Sequence, residues 1–180
     1  FYTNKIISIL CTTVLILLIS TFSKVSYACD DVSGTTTISS DCSSAFSITG
    51  SNADITLSAT ASSSSMRLTN SGTNSSLTIT SSGSLISTNG GIVIDGTVSG
   101  KSFDLISNAG TISATYFTIR NQKTITTLTN TGTITATEGN AAVLNQSSAT
   151  ITTFTNSGTI SAPSGSGINN TATITTLTNT

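Results

Sequence analysis

Cys29 and Cys42 are the residues with the clearest chemical potential, and Asp30, Asp31 and Asp41 stand beside them. Two thiols in an oxidising space join as a disulfide; closing so short a loop contributes about 3 kcal/mol. A zinc site needs more ligands than two cysteines supply. The three aspartates are read as a solvated polar cap rather than as a metal or acid–base set. With no histidine in the chain, a Ser/His/Asp nucleophile cannot be assembled. Asp95, Asp104 and Glu138 are isolated in sequence. Arg120, Lys123 and Glu138 would meet only across neighbouring turns of a stacked fold, where a surface ion pair is preferred to a polysaccharide-cleaving site. Asn89-Gly-Gly-Ile-Val-Ile-Asp95 is similar to a calcium-binding nonapeptide, but Val93 stands where a third glycine belongs and the motif does not recur. No catalytic, cofactor-binding or metal-binding residue is therefore expected, and the chain is not read as an enzyme.

The compartment follows from the amino-terminal segment. Lys5 precedes an apolar stretch from Ile6 to Ile19, shorter than the ~20 residues of a membrane span. A more polar segment then ends at Ser26-Tyr27-Ala28, with small residues at the first and third places, which predicts a secretory signal peptide cleaved before Cys29. An uncleaved anchor is the alternative. Cys29 as an acylated lipoprotein cysteine is another, although Ser26 stands where such signals usually carry leucine. Cys11 leaves with the leader. Removing the two leader lysines from the six basic residues leaves four against seven acids, a net charge near −3. With no cluster of Lys or Arg, nucleic acid and anionic membrane are excluded as partners.

The remaining residues must be positioned by strands. Ser and Thr make up 71 of the 180 residues, and only 7% are charged. Regularly placed Ile, Leu, Val and Phe separate the chain from a disordered Ser/Thr linker. Abundant Thr and Ile suit a pleated surface. Self-similarity is plain from about residue 100. Thr124-Ile-Thr-Thr-Leu-Thr-Asn-Thr-Gly-Thr-Ile134 returns as Thr150-Ile-Thr-Thr-Phe-Thr-Asn-Ser-Gly-Thr-Ile160 and begins again at Thr173-Ile-Thr-Thr-Leu-Thr-Asn-Thr180. Looser copies are Phe103 to Ile112 and Leu77 to Leu85. Each period of ~24 residues holds three short strands, in one copy Thr124 to Leu128, Gly132 to Thr135 and Ala142 to Leu144, separated by Gly and Asn clusters. This predicts an all-β fold, one turn of a three-faced parallel β-helix per period. Neighbouring turns must bury each other's inward side chains. Expected columns are Ile125, Ile151 and Ile174; Leu128, Phe154 and Leu177; and Ile112, Ile134 and Ile160.

Two asparagine series keep the same period: Asn108, Asn130, Asn156 and Asn179, and Asn121, Asn145 and Asn170. Asn tolerates the left-handed backbone of a sharp corner, and its amide can bond the next Asn in a stack. A structural ladder is expected at these positions. Residues 1–28 form the leader, 29–60 a cap carrying the candidate Cys29–Cys42 disulfide, and 61–180 the repeats. The chain is read as a fragment that breaks off inside a repeat.

The cysteine-bounded opening and the motifs Leu128 to Ile134, Phe154 to Ile160 and Leu177 to Thr180 make residues 29–180 resemble the passenger region of a bacterial autotransporter. That resemblance implies a right-handed parallel β-helix displayed at the cell surface or outside a Gram-negative bacterium. It also implies a carboxy-terminal β-barrel partner in the outer membrane, which these residues do not contain. The function expected is a structural or adhesive stalk with a cell-surface or matrix ligand. Alternatives are the stalk of a secreted enzyme with its catalytic domain downstream, and a pilus-type sandwich subunit, against which the repeat argues. The pairs Thr124/Thr126, Thr150/Thr152 and Thr173/Thr175 suggest a further alternative, a flat threonine array similar to those of ice-binding solenoids.

Overall fold

The computed structural model describes residues 29–89, 92–96, 102–146 and 148–180. The leader expected over 1–28 lies outside the described residues. Strands of three to seven residues follow one another around a solenoid, and every strand pair is parallel. Three sheets of seven, five and six strands make its faces. One turn runs through Thr124–Asn130 in the seven-stranded sheet, Thr133–Ala136 in the five-stranded sheet and Ala141–Asn145 in the six-stranded sheet. No helix occurs among the described residues.

The inward columns form because register is kept from turn to turn. Ile125 pairs with Phe103 and Ile151, and Ile151 with Ile174. Leu128 pairs with Ile106 and Phe154, and Phe154 with Leu177. Ile112, Ile134 and Ile160 form the third column. Phe103 to Phe154 in these columns are buried, Ile160 and Ile174 are partly buried, and Leu177, in the last strand, is 52% exposed. Each buried aliphatic contributes about 1.5–3 kcal/mol, so the stack is held by its neighbours and not by any single turn.

Simple alternation does not describe the long strands. In Thr124–Asn130 the buried residues are Ile125, Leu128 and Asn130, spaced three and then two apart, and Thr126 and Thr127 both face outward between the first two. Ser102–Asn108 and Thr150–Asn156 repeat that pattern. The extra residue enters between Ser75–Ile79 and Ser102–Asn108: Ser75 pairs with Phe103 and Ser76 with Leu105, so Asp104 is bypassed. A bulge of this kind bends its strand. Thr124 and Thr126 thus straddle a bend instead of lying on one flat face.

The segment expected as a cap is built from the same sheets. Thr35–Ile38 pairs with Asp54–Leu57, and Cys42 forms a single bridge to Ala61. Val32 bridges to Ile48 below the first strand of the six-stranded sheet. Residues 29–34 thereby pass beneath the first turn.

Candidate functional site

The two asparagine series occupy inward positions at two corners. In the seven-stranded sheet Asn108 Nδ2 donates to Asn130 Oδ1 at 2.8 Å, Asn130 to Asn156 at 2.7 Å and Asn156 to Asn179 at 2.7 Å. In the six-stranded sheet Asn121 Nδ2 donates to Asn145 Oδ1 at 2.9 Å and Asn145 to Asn170 at 2.7 Å. Every amide donates toward the carboxy-terminal end, so each ladder has one direction. Its second hydrogen is also used: Asn130 Nδ2 donates to the Thr159 carbonyl, and Asn145 Nδ2 to the Thr173 carbonyl. These bonds tie one face of a turn to the adjoining face of the next. A polar group this deeply buried is tolerated only when so satisfied.

The left-handed backbone expected at these asparagines is not found. All seven belong to strands, and the non-glycine residues with positive φ are Asn52 and Asn74, among the described residues. The corner is made by the side chain instead. Asn108 Oδ1 accepts from the Gly110 N–H, and Asn108 Nδ2 donates to the Gly110 carbonyl. On the seven-stranded sheet the residue two places on is glycine, because the corners of successive turns nearly touch there; in the other series Lys123 and Ala172 hold that place, their N–H groups bound by Asn121 and Asn170 Oδ1. A Cβ on Gly132 would lie 2.2 Å from the Gly110 carbonyl oxygen, and one on Gly158 2.2 Å from that of Gly132.

Sequence reasoning missed Asn70. It is buried, donates to the Ser102 carbonyl at 2.8 Å and accepts from the Gly72 N–H at 2.9 Å. The signal was present, since Leu68-Thr69-Asn70-Ser71-Gly72 copies the motif of the repeats. It lies on the six-stranded sheet, whereas Leu128 to Gly132 lies at the corner of the seven-stranded one.

At the amino-terminal end Cys29 and Cys42 are joined in a disulfide with Cα atoms 5.1 Å apart. The neighbouring aspartates finish the lower edge. Asp31 Oδ1 accepts from the Ser47 N–H at 2.7 Å, and Asp41 Oδ1 from the Thr60 N–H at 2.9 Å. Each carboxylate oxygen takes the place of a strand carbonyl that another turn would supply. An unpaired sheet edge invites pairing with other chains, and these contacts blunt it. A hollow of about 450 Å³ lies here, lined by Cys29, Val32, Ile38, Asp41 and Cys42 among others.

The remaining candidates stay dispersed. Glu138 donates its N–H to the Thr115 carbonyl, just before the strand Phe117–Asn121, while Lys123 follows that strand's end. The strand thus separates Glu138 from Lys123. Arg120 is outward on it, in register with Asp95 and Leu144. Gly90 and Gly91 of the calcium-like motif lie outside the described residues. No group of three or more His, Cys, Asp or Glu able to hold a metal occurs among the described residues.

The outward threonines form columns of their own. On the seven-stranded sheet Thr37, Thr56, Thr78, Ser107, Thr129, Thr155 and Thr178 stand in one register. Beside them Thr127, Thr153 and Thr176 form a second column above Leu105. Comparison with protein-family models, curated proteins and solved structures returns no match for this chain.

Proposed function

We propose that the chain is the rigid stalk of an exported, surface-displayed passenger of the autotransporter type, structural and adhesive rather than catalytic. The observation that supports this most is the stacking of turn on turn through three parallel sheets of seven, five and six strands, in register but for the bulge between Ser75–Ile79 and Ser102–Asn108. Such a stack contacts mainly its own neighbouring turns, so length is added without redesigning a core. Its two asparagine ladders oppose slippage of one turn over the next. The outer faces and turns are then free to carry contacts with a cell-surface or matrix ligand. In this reading the stalk works with a β-barrel in the outer membrane and involves neither cofactor nor nucleic acid.

The test has two parts. Intact bacteria expressing the gene should display an epitope placed in the turn at residues 137–140, accessible to antibody without permeabilisation. The purified full chain should bind host cells, other bacteria or immobilised matrix components saturably. An epitope found only in the cytoplasm ends the display reading. Absence of binding to every one of those surfaces ends the adhesive one.

A further inference from the structure

We propose that the outer face of the seven-stranded sheet binds ice. The inference goes beyond the stalk reading and does not depend on it. The face is defined by Thr127 and Thr129, Thr153 and Thr155, and Thr176 and Thr178, three in-register pairs on successive turns. This array differs from the pairs that begin at Thr124, which the bend divides. Parallel strands stack about 4.8 Å apart, and alternate residues along one strand lie about 6.6 Å apart. The six threonines therefore form a lattice of hydroxyl and methyl groups with those two repeats.

Three features direct the face to a periodic lattice of neutral molecules. None of the six residues is charged, so nothing in the array draws an ionic partner. No aromatic ring lies among them on which the apolar face of a sugar could stack. Among the described residues, none of the six hydroxyls bonds within the protein. A hydroxyl both donates and accepts, as water does. Each contact is weak alone. Together they act only on a partner that repeats at the same scale, because one rigid surface engages many points at once.

Rigidity separates this face from the neighbouring hydroxyl face. Threonine is stiff at χ1 because its Cβ is branched, so a threonine array loses little freedom on binding. The five-stranded sheet pairs Ser113, Thr135 and Ser161 in its second column, with Ile86 below. Its serines rotate more freely, and its strands are only three or four residues long. The threonine strands are also seven residues long and fastened from beneath by Asn130, Asn156 and Asn179.

The experiment uses the full chain in a nanolitre osmometer and in a slowly grown ice hemisphere. The wild type should open a gap between melting and freezing points beyond the colligative effect, and should enter the ice. Thr155→Lys and Thr129→Lys, checked for unchanged circular dichroism, should retain half of that gap or less. Thr133→Lys, on the five-stranded sheet, should retain all of it. No gap in the wild type overturns the proposal, as does equal loss in Thr133→Lys and the two array variants. Retention on crystalline cellulose without ice activity would assign the face to polysaccharide and overturn it too.

Discussion

A buried asparagine is an expensive choice unless each polar atom finds a partner, and Asn130 shows how that is met. It accepts from Asn108 and donates to Asn156 and to the carbonyls of Gly132 and Thr159. Asn130→Ala should leave donors and acceptors unpaired above and below and cost about 1–3 kcal/mol in chemical denaturation. Asn130→Asp is a sharper probe. Its carboxylate would set an acceptor against Asn156 Oδ1, so the buried acid would hold its proton more tightly in the folded state than in the unfolded one. A raised folded value means the variant is most stable below the ordinary carboxylate range and loses stability as pH rises through the interval between the two values, at about 1.4 kcal/mol per unit. Denaturation midpoints of this variant at pH 3.5 and pH 7 measure the sign directly. A variant equally stable at both would mean that the ladder position is wet. The same column is aliphatic lower down, where Ile38, Leu57 and Ile79 occupy it. The ladder is thus a feature of the upper turns rather than a requirement of the fold.

An element in this fold is a strand together with the corner that ends it. On the seven-stranded sheet the motif Asn-x-Gly builds that corner, the asparagine by bonding two residues ahead and the glycine by letting successive corners approach. Gly83, Gly110, Gly132 and Gly158 lie one above another, and each Cβ added above Gly83 would meet the carbonyl of the glycine below. Gly132→Ala should therefore force the turns apart. A loss of about 1–3 kcal/mol, typical of overpacking, is expected, with hydrogen exchange rising at Thr133 and Thr159 and unchanged at Thr60. Exchange rising evenly along the chain would argue that the corners are not in contact. The ~24-residue period and the three strands were legible from the sequence, because aliphatic spacing and turn residues repeat together. The bulge was not legible. An extra residue in a run of threonines leaves composition unchanged, and only the pairing of Ser76 with Leu105 reveals that Asp104 is bypassed.

At the scale of the whole molecule, the first turn of the stack is closed from below. The lower end carries the disulfide and two aspartates that occupy strand N–H groups. Cys42→Ser should lower stability by about 3 kcal/mol if loop closure governs the effect, read as a lower denaturant midpoint. It should also raise the rate of thioflavin-positive association, since the lower edge would be released to pair. If the variant loses stability yet stays monomeric, the aspartates alone protect the edge. Coupling in this architecture runs from each turn to the next, so damage at one end reaches the other only through the turns between.

What the residues alone determined was the class of fold, the period, the inward aliphatic columns and the positions of the asparagine series. All of these depend on local periodicity, and a repeat broadcasts it several times over. Tertiary structure alone decided which threonines stand in one outward register, why the asparagines sit in strands rather than in left-handed corners, and that Asn70 belongs with them. Those outcomes depend on which strands become neighbours. A bulge of one residue or a motif moved to the next sheet changes its neighbours while leaving its sequence signature intact.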